Sequence, residues 1–114
     1  MSKEITKKQI QIIFRTIMVP FESFGYTTLE LFFQNQLEDI KNLYTSFELL
    51  EKSEQKFISL KNIDIKLILK LFIVSRDIID PQEFMTITGY EWDESTEVIF
   101  RLIDILTISE IKES

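Results

Sequence analysis

Asn62-Ile-Asp-Ile-Lys-Leu-Ile-Leu-Lys-Leu-Phe-Ile-Val-Ser-Arg-Asp-Ile-Ile79 is the most apolar segment of the chain. Leu67, Leu71, Val74 and Ile78 recur at three-and-four spacing and make one stripe of a helix. Ile68, Phe72, Ser75 and Ile79 make the stripe beside it. A helix that is apolar almost all round is a buried one. The segment 62–79 therefore predicts a central helix with the other elements packed against it.

Working outward, three helix starts are written into the flanking sequence. Thr6 stands three residues before Gln9, with Ile5 and Ile10 as the apolar pair that fixes the entry angle. Thr27 stands three residues before Glu30, with Tyr26 and Leu31 in the same roles. Asp80 precedes Pro81 and has Glu83 at the third helical position, flanked by Ile79 and Phe84. In each case a cap side chain can accept from an otherwise orphaned N–H. A first helix is expected over 6–19, stopped by Pro20, with a turn from Pro20 to Gly25. Its inward face is Ile10, Ile13, Phe14 and Ile17. A second helix is expected from Thr28 to Lys52. Residues 53–61 read as a connector: Phe57, Ile58 and Leu60 favour an extended piece, but no strand partner is evident. Asn62 is expected to cap the central helix. A short helix from Pro81 to Thr88 ends at Gly89, where a left-handed residue is needed. A last helix runs from Asp93 to Ser109 with Ile99, Leu102, Ile103 and Leu106 inward, and the tail from Glu110 is expected to fray. The sum is an all-α fold, a compact bundle of about five helices in a single domain over 1–114.

Composition narrows the chemistry. The 114 residues contain no Cys and no His. Thiolate metal sites, disulfides and a Cys nucleophile are excluded. The usual general base at neutral pH and the commonest metal ligand are missing. Only two Gly are present, so no glycine-rich phosphate loop exists, and no Ser lies in an elbow motif. The reading is of a non-enzymatic chain with no cofactor and no metal. The charged start and the absence of a long apolar run argue against a signal peptide and a membrane span, and predict a cytoplasmic protein.

The net charge of −6 is unevenly spread. Residues 1–75 carry ten Lys/Arg against nine Asp/Glu; residues 76–114 carry three against ten, a local balance of −7. Phosphate repels such a surface, and a basic protein complements it. The helix–Gly–helix rhythm around Gly89 imitates a DNA-reading motif. Its second helix, however, would turn Glu91, Asp93, Glu94 and Glu97 toward phosphate, so nucleic acid is excluded as a partner. The Lys7-Lys8 pair and the lysines from 52 to 70 read as solvated faces, or as a patch that docks on the acidic third of a second copy to give a homodimer.

The candidate partner-binding residues are Tyr90, Glu91, Trp92, Asp93, Glu94 and Glu97. Aromatic side chains anchor interfaces, and carboxylates pair with Lys or Arg across them. The same residues have a purely architectural reading: acids complement a helix N-terminus, and the two aromatics plug the bundle.

The stretch Asp80 to Leu106 has Glu83-Phe84 in a short helix, Thr88-Gly89-Tyr90 at the turn and Asp93-Glu94 opening an apolar helix. It resembles small acidic bacterial immunity proteins, which are encoded beside toxins. That resemblance implies an inhibitor that masks a basic toxin surface. The other reading is a self-associating structural or regulatory helical module with no toxin partner.

Overall fold

The computed structural model describes residues 4–23 and 26–113, and the side chains of all of these but 21–23, 26–28, 32, 112 and 113. In chain order the elements are β1 (Glu4–Thr6), α1 (Lys7–Ser23), α2 (Tyr26–Phe33), α3 (Leu37–Lys52), β2 (Phe57–Ser59), α4 (Asn62–Ile78), α5 (Pro81–Thr88) and α6 (Trp92–Glu113). Among the described residues the fold is an all-α bundle of six helices with one two-stranded ribbon.

The apolar stretch forms its helix and is buried along one face, through Ile65, Leu67, Ile68, Leu71, Phe72 and Ser75. It is not the hub. Ile63 and Ile73 on its other side are 71% and 65% exposed, and α4 packs chiefly on α1 and α6. The hub is α1, which touches α2, α3, α4, α5, α6 and β1. Residues 10, 12, 13, 14, 16, 17, 19 and 20 are all buried, more than half of the circumference at 3.6 residues per turn. The charged Lys7-Lys8 pair, which reads as a solvated face, hid this in the sequence.

Lys7 is in fact a cap for another helix. Its Nζ donates to the carbonyls of Leu50, Glu51 and Ser53 at 2.6, 2.6 and 2.7 Å. These include orphan carbonyls at the end of α3, where a cation also opposes the negative pole of the helix. Lys8 is likewise tied internally, to Glu94.

Pro20 does not stop α1, which continues to Ser23. A proline inside a helix removes the N–H that would bond to the carbonyl four residues back, here that of Thr16. The Ser75 hydroxyl, from α4, lies 3.2 Å from that carbonyl and 2.7 Å from its own Leu71 carbonyl, sharing its one proton between them. A tertiary donor thus stands where the local one is missing. Of the expected turn over 20–25, residues 24 and 25 lie outside the described residues.

The expected second helix divides at residues 34–36 into α2 and α3. Gln36 N–H bonds to the Phe33 carbonyl at 2.6 Å and closes the turn. The α2 helix begins at Tyr26, and the Thr27 side chain expected to cap it lies outside the described ones. The segment 53–61 finds the strand partner that the sequence concealed: β2 pairs antiparallel with β1, Ile5 opposite Ile58. Three residues directly before a helix cap give too short a pattern to read as a strand.

The Thr6 box forms in both directions: Thr6 N–H donates to Gln9 Oε1 at 2.8 Å and Gln9 N–H to Thr6 Oγ1 at 3.2 Å. Asp80 caps α5 by accepting from the Glu83 N–H at 2.8 Å. Gly89 ends α5 at φ 80°, the left-handed region that favours glycine. Lys61, not Asn62, is the cap of α4, and it makes no side-chain cap bond. The last helix runs on to Glu113 instead of fraying from Glu110. Its inward residues are Ser95, Val98, Leu102, Ile105 and Ser109, whereas Ile103, expected inward, is 44% exposed.

Candidate functional site

The turn from Gly89 into α6 is held by contacts to α1, α4 and α5. Tyr90 is half-buried and its hydroxyl donates to Gln11 Oε1 of α1 at 3.2 Å. Trp92 is also half-buried. Its ring meets Phe84 of α5 edge-on, with centroids 5.6 Å apart at 81°. The Arg76 guanidinium from α4 sits 4.1 Å above the Trp92 ring and donates to Thr96 Oγ1 at 2.8 Å. A cation over an indole face contributes roughly 0.5–2 kcal/mol, and an edge-to-face aromatic pair a similar amount. Burial holds the Arg76 guanidinium below its ordinary range, against the opposing attraction of Asp93. Both aromatic anchors are thus occupied within the chain.

Glu94 is occupied as well. One oxygen accepts from the Glu91 N–H at 2.9 Å, which caps α6, and the other pairs with Lys8 of α1 at 2.9 Å. The Lys8 hydrogen bond, with the Glu91 amide second, holds the Glu94 carboxyl below its ordinary value. The bond to Glu94, then its Coulomb attraction, raises Lys8 above its own. The architectural reading therefore accounts for Tyr90, Trp92 and Glu94.

Glu91, Asp93 and Glu97 remain exposed. They open a longer surface that the sequence did not disclose. Asp93, Glu97, Phe100, Asp104, Thr107 and Ile111 follow one another at alternating spacings of four and three, and all are exposed. That spacing sets them in one stripe along the outer face of α6. Phe100 is 62% exposed, and Ile103 beside it is the residue misread as core. The Arg76–Thr96 bond brings the end of α4 against the start of α6. Phe100 and Ile103 make a small apolar patch, and the charged residues of the stripe are the carboxylates of Asp93, Glu97 and Asp104. The signal that could have found it is the heptad-like order of 93, 97, 100 and 104, which places a Phe on the polar side of the helix.

Among the described residues no group of three or more carboxylates is disposed to hold a metal ion, and no helix is long and apolar enough to cross a membrane. Comparisons with protein-family models, with curated proteins and with solved structures find no match to this chain.

Proposed function

We propose that this chain is a non-catalytic binding protein of the immunity or inhibitor type, and that the outer face of α6 masks a basic partner protein. The observation that carries this reading is the exposed Phe100–Ile103 patch flanked by Glu97, Asp104 and Asp93. Aromatic side chains are enriched at the centres of interfaces, and a rim of one charge sign steers an oppositely charged partner and fixes its register. The anchors in this reading are Phe100 and Ile103, and the charged set is Glu91, Asp93, Glu97 and Asp104. Tyr90, Trp92 and Glu94 support it by fixing the start of α6.

A second copy of the chain meets this face poorly in a symmetric contact. An isologous contact through α6 would lay carboxylates against carboxylates. A head-to-tail contact would draw on the exposed lysines from 52 to 70, since Lys7 and Lys8 are already committed within the molecule. Sedimentation velocity over a hundredfold concentration range tests this: the proposal expects a monomer throughout, and a dimer that forms with concentration favours the self-associating module instead. For the partner itself, immobilised wild type and an Glu97→Lys/Phe100→Ser/Asp104→Lys variant are compared for what each retains. The expected result is a basic protein held by the wild type alone and released by salt. Retention of the same proteins by both would remove α6 from the interface.

A further inference from the structure

A cleft of about 700 Å³ lies between α3 and the β2–α4 segment, on elements that take no part in the α6 face. Its floor is apolar and buried, formed by Leu43 and Phe47 of α3 and Leu67 of α4. Phe57 of β2 and Ile63 of α4 line it too and are 57% and 71% exposed, so apolar surface continues outward from the floor into solvent. Asp39 and Asp64 contribute carboxylates, and Asn42 and Ser46 add uncharged polar groups along α3. The chain has 13 Lys and Arg, and none is among the described residues that line the cleft.

Asp39 and Asp64 stand in the first turns of α3 and α4, where the helix dipole stabilises a carboxylate. Their placement accounts for their charge. It does not account for Phe57 and Ile63, large apolar side chains left exposed to water beside that floor. The size falls within the range of sites that enclose a ligand, about 300–1,000 Å³. The lining of α3 runs from Gln36 to Leu50, about 21 Å at the helical rise, which matches a partner helix of about 14 residues.

We propose that this cleft docks an amphipathic, lysine- or arginine-bearing helix of a partner protein. Its apolar side chains would lie on Leu43, Phe47 and Leu67 between Phe57 and Ile63. Its cations would reach Asp39 and Asp64. The sign of the lining selects the occupant: a lone charge sign along a low-dielectric wall attracts the opposite charge and rejects its own. The groove-and-helix arrangement is a recurring mode of recognition.

The test uses the intact chain and two synthetic peptides of about 14 residues, one patterned from Leu and Lys at helical spacing and its counterpart with Glu in place of Lys. Binding is read by isothermal titration. The Lys peptide is expected to bind and the Glu peptide to bind at least about tenfold more weakly. Asp39→Lys with Asp64→Lys should weaken the Lys peptide by about tenfold or more. Phe57→Ser with Ile63→Ser, both at exposed positions, should weaken it as well and gives a second reading should the charge variant fail to fold. Glu97→Lys with Asp104→Lys on α6 should leave this binding unchanged, which separates the cleft from the α6 face. No binding of the Lys peptide overturns the proposal. So does equal binding of the two peptides, or loss of binding on the α6 variant but not on the cleft variants.

Discussion

Lys7 illustrates how a single residue can be misjudged by its type. A lysine near the start of a chain reads as solvated, yet its three donors meet three carbonyls at the end of a helix more than forty residues away. Hydrogen bonds from a charged donor contribute roughly 1.5–3 kcal/mol, so Lys7→Met should lower unfolding stability by about that amount, read from urea melts. A loss below about 0.5 kcal/mol, the range of ordinary surface changes, would contradict the cap. Gly89 is simpler. A Cβ there would meet nothing within 4 Å, but the backbone lies at φ +80°. Gly89→Ala should therefore cost about 1–2 kcal/mol from backbone strain alone. The Lys8–Glu94 pair makes a prediction in pH. The folded Glu94 carboxyl is lower than its unfolded value, so its contribution is present above the unfolded value and is lost as pH falls through the folded one. The folded Lys8 ammonium is raised, so its contribution is present below its unfolded value and is lost as pH rises through the folded one. Glu94→Gln keeps an acceptor for the Glu91 amide and removes only the charge. The melting-temperature gap between wild type and this variant should be present at neutral pH, shrink with added salt, and close in acid. No gap at neutral pH would assign the role of Glu94 to the cap alone.

At the scale of elements, the boundaries written in side-chain chemistry were legible, and those set by tertiary contact were not. The Thr6, Asp80 and Gly89 signals form as read because each acts within four residues of itself. The errors at Pro20 and at 34–36 have different causes. Pro20 reads as a stop, but α4 brings Ser75 to the Thr16 carbonyl that lacks its helical donor. The break at 34–36 was missed because the apolar stripe runs on across it. The ribbon was illegible for a third reason: β1 is only three residues, and its partner lies more than fifty residues on. Its importance exceeds its length, since Ile5 is fully buried in the main core. Ile5→Ala should cost about 2–5 kcal/mol, as core truncations do, and not the few tenths expected of a chain end. Thermal or urea unfolding of that variant decides between the two.

For the whole molecule, the uneven charge was the most informative feature of the sequence, and the structure divides it into two kinds. Glu94 and its Lys8 partner belong to the fold, while Glu91, Asp93, Glu97 and Asp104 face outward on α6. The half of the candidate site that concerned charge was legible from counting residues. The apolar half was not, because Phe100 and Ile103 looked like core in a helix with apolar residues on several sides. The account stands most directly on the affinity of a retained basic partner for wild type and for the Glu97→Lys/Phe100→Ser/Asp104→Lys variant, titrated at two salt concentrations with both proteins confirmed to be folded. It predicts a loss of about a hundredfold or more on substitution, and wild-type affinity that falls as salt rises. Equal affinity for the two proteins, insensitive to salt, would contradict it.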